Sequence, residues 1–350
     1  ADREDRQRAG RVLAGGVGRR RAARRAASVD ILNSVLASHR IRAARAVASG
    51  PMSRPIRLIV NPSSGGGRTL QALPEVQRAL DDLGLEHEVR TTRDLEHGRE
   101  LARGALEAGQ IAVTFSGDGL IGAVAGVLAG HPDACLGILP GGRGNDLARV
   151  LGIPRDDLAA ACRVLRDGSR RPLDVGMVAD RPFVGIASFG FDSDANRIAN
   201  LAPAWLGQGV YAYAALRALG GWRPARFVIE ADDRPPREVT AYSVGLANAS
   251  TYGGGMRAAP HAELDDGRLD LVIVHDMPKR RFLTHVLPRV FSGTHVDLPE
   301  VEEQKVHTAL VRADRPFTVY ADGDPIGELP CDFSVRRHAL QVLAPAERAA

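Results

Sequence analysis

The sequence predicts an α/β domain built on a parallel sheet, followed by a second domain rich in β-strands. Two observations carry this prediction. From Ile56 to about residue 170, short apolar runs alternate with segments of helical spacing, and this repeated order of strand, short loop and helix is the signature of a parallel sheet covered by helices. Beyond Arg170 the apolar period changes from 3.6 to 2, which is typical of strands in a sandwich or a barrel.

The first half is predicted to contain strands that are each followed by a helix. In order, the predicted elements are the strand IRLIV, a helix over 69–83, a strand near 86–90, a helix over 94–107, the strand IAVTF, a helix that begins with IGAVAGVLAG, the strand CLGILP, a helix that begins with NDLARVLG and a helix over 156–167. The second half is predicted to contain mostly strands. They are DVGMV and FVGIA, joined as a hairpin, then RFVIEA, TAYSVGLAN, RLDLVIV, KVHTALVR, PFTVYA and HALQVLA, with helices over 194–219, broken near Pro203, and over 279–291.

Composition limits the class of protein. The chain has 350 residues, 44% of them hydrophobic, so it can bury a sizeable core and suits two domains. It holds no apolar run long enough to span a membrane. Cys135, Cys162 and Cys331 are odd in number and widely spaced. We therefore expect reduced thiols in a cytoplasmic protein, with neither a disulfide framework nor a zinc site.

The N-terminal segment, residues 1–51, differs from the rest of the chain. It holds 12 Arg against 4 acids, whereas the remainder has 34 basic and 38 acidic residues. Its Arg, Ala and Gly offer little apolar surface, so we expect disorder. A basic arm, a transit peptide, and translated sequence upstream of a start at Met52 stay open as interpretations. The predicted domains are then 52–170 and 171–346, and their mild acidity argues against a nucleic-acid partner.

Three glycine-rich loops, NPSSGGGR, SGDG and PGGRGND, each follow a predicted strand of the first half. Because all strand-to-helix loops of a parallel sheet emerge at the same edge, we expect the three loops to meet. Backbone N–H groups and helix N-termini suit phosphate. No lysine lies near the loops, which excludes a P-loop, so Arg68 and Arg143 are the candidate cations.

Two acidic clusters mark the second half. YADGDPIGELP carries Asp322 and Asp324 after a strand, and HAELDDGRLD carries Glu263, Asp265 and Asp266 before one. Asp-Gly pairs are also common hairpin turns, and this structural interpretation stays open. A carboxylate can accept the proton of an attacking hydroxyl or bind a hard cation, and phosphoryl transfer needs both a proton acceptor and a bound cation.

Seven segments together resemble the family of bacterial diacylglycerol kinases and sphingosine kinase-like lipid kinases. They are IVNPSSGGGR, SGDGLIGAVAGVLAG, LGILPGGRGNDLARVLGIP, DVGMV, FVGIASFGFDSD, NASTYGGGMRAAPHAELDDGRLDLVIV and YADGDPIGELP, in family order from about Ile56 to Pro345. The resemblance implies an NAD kinase-like, Rossmann-like nucleotide domain, a C-terminal β-sandwich and a lipid cleft between them. It also implies ATP and Mg²⁺ as cofactors.

The resemblance assigns roles to particular residues. Asp322 matches the general base, with Asp324 as a supporting acid, and a structural Mg²⁺ would be held by Asp266 and the backbone carbonyls of Glu263 and Arg268. A second Mg²⁺ would accompany the ATP phosphates. The residues expected around ATP, with Arg68 added from its position, are Asn61, Pro62, Ser63, Ser64, Gly65, Arg68, Thr92, Ser116, Gly117, Asp118, Gly119, Leu120, Ile121, Gly122 and Arg143.

The chain departs from the family pattern at several positions, and these leave the substrate open. Ser116 and Leu120 give the form SGDGL that sphingosine kinases use, LPGGRGNDLAR resembles the diacylglycerol kinase form with Arg143 in place of Thr, and Asp324 replaces Glu. The predicted function is phosphorylation of a diacylglycerol-like lipid at a membrane surface by a peripheral protein, with a homodimer left open. The alternatives are a kinase for sphingosine or another lipid alcohol, a kinase for a small polar substrate, and a non-catalytic nucleotide-binding protein.

Overall fold

Parallel strands form the first half of the fold. A computed structural model of the protein describes residues 54–201 and 210–346; the predicted tail over 1–51 and the helix break near Pro203 lie outside them. Strands β1 to β4 pair in the order β4-β3-β1-β2, all parallel. The elements are β1 (Ile56–Val60), α1 (Arg68–Asp82), β2 (His87–Thr91), α2 (Leu95–Glu107), β3 (Ile111–Ser116), α3 (Asp118–Leu128), β4 (Leu136–Pro140), α4 (Asp146–Val150) and α5 (Leu158–Asp167).

Apolar side chains explain this arrangement. Every residue of β3 and β4 is buried, as expected for strands covered by helices on both faces. Helix α2 begins after Asp94, whose side chain accepts the N–H of His97, and α5 begins after Asp157, whose side chain accepts the N–H of Ala160. Such caps satisfy N–H groups that have no partner inside the helix, so these two starts are encoded locally.

The second half consists mainly of antiparallel strands. The elements are β5 (Ser169–Val178), β6 (Arg181–Phe183), β7 (Ile186–Gly190), α6 (Phe191–Leu201), α7 (Val210–Gly221), β8 (Ala225–Ala231), β9 (Arg237–Ala247), β10 (Leu269–His275), α8 (279–290, with a π-helical turn at Phe282–Val286), β11 (Val301–Val306), β12 (Thr308–Ala313), β13 (Thr318–Ala321), β14 (Asp324–Glu328) and β15 (Cys331–Ala344). The long strand β9 pairs with β7, β8 and β10, and so joins the layers of a β-sandwich.

The two halves share backbone pairing and belong to one compact unit. Strand β15 pairs antiparallel with β5 along most of its length and meets β4 in parallel at Val342 and Leu136. The predicted boundary between residues 170 and 171 falls inside β5, and this domain division stays a prediction. None of the helices within 54–201 and 210–346 is long and apolar enough to cross a membrane.

Three predicted elements were wrong in detail. The strand predicted for KVHTALVR is two strands, because the N–H groups of His307 and Thr308 turn to the Asp232 carboxylate. Strand β14 was not predicted, and helix α6 begins at Phe191, three residues before the predicted 194.

The predicted strand FVGIA is also interrupted. Val184 and Gly185 leave the ladder between β6 and β7, and their N–H groups donate to the carboxylate of Asp322. A strand written as one apolar run is therefore divided by hydrogen bonds to a side chain 137 residues later in the chain.

Candidate active site

The three glycine-rich loops meet at the ends of β1, β3 and β4. The N–H of Gly141 donates to the carbonyl of Ser116 at 2.8 Å, and Ser64 Oγ donates to the carbonyl of Gly141 at 3.2 Å. Glycine is required at this contact, because a Cβ on Gly65 would lie 2.6 Å from the Gly141 oxygen. The predicted meeting of the loops is therefore confirmed, and they surround the N-terminus of the eleven-residue helix α3.

Asp118, the first residue of α3, holds the middle and third loops together. Its Oδ1 accepts the N–H groups of Asp146 at 2.7 Å and Leu147 at 3.3 Å. Burial, together with the nearby Asp146 charge, raises the pKa of Asp118 to about 6, although these backbone N–H groups oppose the shift. Asp118 therefore shapes the loops through backbone N–H groups, as the sequence suggested.

The Asn-Asp pair that ends the third loop was not predicted from the sequence to be part of the site. Asn145 has a left-handed backbone, φ +50°, and its Oδ1 accepts the N–H of Gly142 at 2.7 Å. The Oδ2 of Asp146 accepts the N–H of Gly254 at 2.8 Å, which brings the NASTYGGG segment to the rim. Among the described residues, Asp146 Oδ1 is buried without a hydrogen-bond partner. The only sequence signal was the residue type at a helix start.

Asp322 lies beside α3 and is fixed in place by two backbone groups. The N–H of Gly185 donates to its Oδ1 at 2.7 Å and the N–H of Val184 donates to its Oδ2 at 3.0 Å. Two glycines make room for the carboxylate, because a Cβ would lie 2.6 Å from Oδ2 on Gly122 and 2.5 Å from Oδ1 on Gly185. The residue itself has φ +53°, a conformation that Asp tolerates better than most side chains.

The environment of Asp322 suits a proton acceptor. Burial raises the pKa of Asp322 to about 7, the two backbone N–H groups oppose this, and the charges of Asp118 and Asp324 add to it. A general base works best when its pKa lies near the working pH. Asp322 therefore has the geometry of a fixed group and the protonation equilibrium of a base at neutral pH.

Asp324 lies on the other side of the same loop. Its Oδ2 is 3.2 Å from the position that a Cβ of Gly119 would take. Burial raises the pKa of Asp324, while Arg99 and Arg181 lower it. These groups line a groove of about 740 Å³ that also includes Arg103 and His131. The lining also holds the acids Glu96, Glu107 and Asp322, and Glu96 pairs with Arg99 and Arg103, so the groove is mixed in charge.

The remaining residues predicted around ATP are two arginines at a surface pocket, a buried threonine, and the residues of the first and second loops. Arg68 and Arg143 line one surface pocket with Arg155, and Arg68 Nε donates to the Gly65 carbonyl at 3.0 Å. Thr92 is buried, and its N–H donates to Val60. The set that forms the first and second loops is Asn61, Pro62, Ser63, Ser64, Gly65, Ser116, Gly117, Asp118, Gly119, Leu120, Ile121 and Gly122. Their contact with ATP stays a prediction.

The side chains that distinguish SGDGL from other forms of the loop point into the protein. Leu120 is 3% exposed, and its Cδ1 occupies the space where a Cβ of Gly98 on α2 would lie. Ser116 is fully buried, and its hydroxyl donates to the carbonyl of Gly117. Leu120 therefore reports the packing of α2 on α3, and neither Leu120 nor Ser116 lines the cavities beside Asp322.

Two adjoining cavities lie on one side of Asp322, within the second half of the fold. The smaller, about 80 Å³, includes Asp118, Asp322 and Tyr320. The larger, about 100 Å³, lies between α6, α7, α8 and the sheet and is lined mostly by apolar side chains. Four residues line both cavities: Ile186, Ser188, Asn196 and Tyr252.

One acid, Asp192, faces the larger cavity. Burial raises the pKa of Asp192 to about 7, and a hydrogen bond with the Tyr252 hydroxyl opposes the shift. A carboxyl group with this pKa can be neutral at pH 7 and donate a hydrogen bond, and Ser188, Asn196, Ser243, Tyr252 and His295 add further polar groups to the mostly apolar lining.

The residues assigned to a structural Mg²⁺ do not fit a divalent ion as they are arranged here. Asp266 Oδ1 accepts the N–H of Arg268 at 2.9 Å, and Asp266 Oδ2 lies 2.5 Å from the ammonium of Lys305. Glu263 Oε1 is 3.0 Å from the same ammonium. Within 54–201 and 210–346, no three His, Cys, Asp or Glu side chains are grouped as metal ligands.

Known proteins match this chain over both halves. The diacylglycerol kinase catalytic domain matches residues 55–178, and the YegS C-terminal NAD kinase beta sandwich-like domain matches residues 185–344. A diacylglycerol kinase of Mycobacterium tuberculosis is 33% identical over 83% of this chain and 95% of its own length. A diacylglycerol kinase of Bacillus subtilis is 30% identical over 84% of this chain and 97% of its own.

A YegS-like protein and a solved structure extend the comparison. A probable lipid kinase YegS-like of Chromohalobacter salexigens is 32% identical over 74% of this chain and 85% of its own. The crystal structure of a diacylglycerol kinase from Bacillus anthracis has a TM-score of 0.65 and 20% identity, covering 83% of this chain and 97% of that one, which shows the shared fold. This chain belongs to the family of diacylglycerol kinases and YegS-like lipid kinases.

Proposed function

We propose that this lipid kinase transfers the γ-phosphate of ATP to the hydroxyl of a diacylglycerol-like lipid and forms a phosphatidate-type product. The observation that carries the proposal is the position of Asp322, a fixed carboxylate with a pKa of about 7, between the glycine-rich rim and the apolar cavity. The names of the relatives support the same substrate class.

The reaction assigns a step to each group. Ionised Asp322 takes the proton of the lipid hydroxyl, the oxygen forms a bond to the γ-phosphorus, and the bond to the β–γ bridging oxygen breaks, so that ADP leaves. The N–H groups at the start of α3 and the loop backbone hold phosphate oxygens. Asp118 and Asp146 would hold a Mg²⁺ ion, which would neutralise phosphate charge, because the buried Asp146 Oδ1 accepts no hydrogen bond from the described residues and has only Arg149 Nε, at 3.8 Å, as an ion-pair partner among them.

The lipid is proposed to enter from the side of α7. The larger cavity is lined by Ala214 and Ala215 of this helix, while Tyr213 and Leu216 are exposed on it. Exposed apolar side chains beside an apolar cavity suit contact with a membrane surface. On this proposal the protein is peripheral, with acyl chains in the cavity and the hydroxyl at Asp322.

The test of the function is a phosphorylation assay with radiolabelled ATP and a panel of acceptors. Diacylglycerol, sphingosine, ceramide, isoprenoid alcohols and NAD are supplied separately, the lipids dispersed in detergent. Labelling of diacylglycerol well above the others supports the proposal. Labelling of NAD alone points to a small polar substrate, and nucleotide binding without transfer to any acceptor points to a non-catalytic protein; either result contradicts it.

Filling the cavity is expected to weaken lipid use without affecting ATP. Ala215→Phe places a ring where about two acyl methylenes would pack, each worth about 0.8 kcal/mol, so KM for the lipid rises ~10-fold. KM for ATP stays constant, because the rim is untouched. Steady-state kinetics measure both, and Ala108→Phe, the same change at an exposed position after α2, serves as the control. A normal lipid KM in Ala215→Phe would place the lipid elsewhere.

The pH profile is expected to report Asp322. A base must be ionised to accept a proton, so kcat/KM rises with pH and levels off above about 7, the pKa of Asp322. The Asp118 charge contributes to this raised pKa; Asp118→Asn therefore shifts the midpoint to lower pH, whatever its effect on the maximal rate. Because Asp118, Asp322 and Asp324 interact, the midpoint of the pH profile is an apparent pKa of the three acids together. If the midpoint did not move, the pH profile would not report the ionisation of Asp322.

A further inference from the structure

Lys305 on β11 is surrounded by three carboxylates. Its Nζ lies 2.5 Å from Asp266 Oδ2 and 3.0 Å from Glu263 Oε1 in the turn before β10. Asp270 is its direct partner across the antiparallel pair of β10 and β11. A single ammonium is therefore shared by acids from a turn and from a neighbouring strand.

The most buried of these acids depends on the ammonium. Asp270 is 2% exposed, and its Oδ2 has no hydrogen-bond partner among the described residues. Glu303 and Asp266 act on Asp270 as like charges, and Lys305 acts on it as an opposite charge. Glu303 is itself paired with His261, whose Nδ1 is 2.6 Å from Glu303 Oε2. Without Lys305, the cluster would hold an excess of negative charge in a partly buried place.

The chemistry of the cluster suits an ammonium. An ammonium directs three donors around a compact charge, whereas a guanidinium is planar and larger. Of the 46 basic residues in this chain only Lys279 and Lys305 are lysines. Lys305 thus stands where a compact cation is needed in a chain that otherwise uses arginine.

The turn beside the cluster is tied by hydrogen bonds to strands β5 and β15. The N–H of Gly267 donates to Asp174 Oδ2 at 2.5 Å, and the N–H of His338 donates to Asp174 Oδ1 at 2.6 Å. Asp174 lies on β5 and His338 on β15. The position of the turn that carries Asp266 is therefore coupled to the longest strand pair in the fold.

We propose that the ammonium of Lys305 replaces a structural divalent cation in this protein. It neutralises Asp266, Glu263 and Asp270 and fixes the turn before β10, so the fold needs no bound metal at this position. The proposal concerns the folded scaffold and is independent of the lipid that the enzyme phosphorylates.

The test compares melting temperatures without nucleotide in EDTA and in millimolar MgCl₂ or CaCl₂. Wild-type protein is expected to melt at the same temperature in all three. Lys305→Met keeps the aliphatic stem but removes the charge, and in EDTA it melts ~5–10 °C lower because a buried charge loses its partner. The divalent ions raise the melting temperature of this variant, since the Asp266 and Glu263 carboxylates are then free to bind them.

The control is Lys279→Met, because the Lys279 ammonium donates only to the Gly220 carbonyl at an exposed position; it melts like wild type in every buffer. A second variant, Lys305→Met with Asp270→Asn, removes the unpaired buried charge and keeps the test open if the single variant does not fold. It is expected to melt above the single variant in EDTA. Metal-dependent melting of wild type, an unchanged Lys305→Met in EDTA, or its failure to respond to either ion would overturn the proposal.

Discussion

Asp322→Asn is expected to lower the rate of lipid phosphorylation by about 10²- to 10⁴-fold, the usual contribution of a general base. The amide cannot accept the hydroxyl proton, while its size and the surrounding backbone stay the same. The affinity for ATP is expected to remain near that of wild type, because the proposed phosphate contacts come from the loop backbone and the start of α3. Single-turnover kinetics with labelled ATP and a nucleotide-binding titration separate the two effects.

The same substitution has a structural cost that its controls must resolve. Both oxygens of Asp322 accept backbone N–H groups, and an amide nitrogen cannot accept one of them, which leaves a buried donor unsatisfied at about 1–3 kcal/mol. Asp233→Asn, at an exposed turn, controls for the chemical change. A folded Asp322→Asn protein with near-normal turnover would exclude Asp322 as the base.

Asp324→Asn distinguishes the two neighbouring acids. Asp324 faces Gly119 and the groove that contains Arg99 and Arg181, and not the apolar cavity. We expect this variant to lose less activity than Asp322→Asn, because Asp324 lies away from the proposed hydroxyl position. The reverse order of activities would assign the proton transfer to Asp324.

The sequence predicted the elements whose causes are local. Strands β1, β3 and β4 are apolar runs that are each followed by a glycine-rich loop, and a parallel sheet requires these loops to share an edge. The start of α2 follows a capping Asp94. The rim of the site was therefore predictable from short segments and one topological rule.

The parts that the sequence did not reveal depend on residues far apart in the chain. The donors to Asp322 come from Val184 and Gly185, more than 130 residues earlier, and no spacing rule connects them. Leu120 was interpreted as a substrate determinant because its partner, Gly98, lies on another helix. Lys305 neutralises acids about 40 residues before it. Only the folded chain reveals such pairs.

Gly122→Ala is expected to reduce lipid phosphorylation about 100-fold although Gly122 carries no functional group. A Cβ at this position would lie 2.6 Å from Asp322 Oδ2 and 3.2 Å from its Cβ and Cγ. The carboxylate cannot move freely away, because Gly185 lies on its other side and two N–H groups hold it. A displacement of about 1 Å at a reacting group is enough for a loss of this size.

Gly122→Ala separates a displacement of Asp322 from a change in the stability of helix α3. Alanine favours helix over glycine by about 1 kcal/mol, so α3 itself should not be weakened, and the loss of activity must come from Asp322. Gly221→Ala, where a Cβ would meet no atom within 4 Å, is the matched control and retains full activity. In Gly122→Ala the fall is expected in kcat more than in KM for ATP, since the displaced group acts in the chemical step. Equal kcat values for Gly122→Ala and wild type would show that the contact between α3 and Asp322 does not position the base.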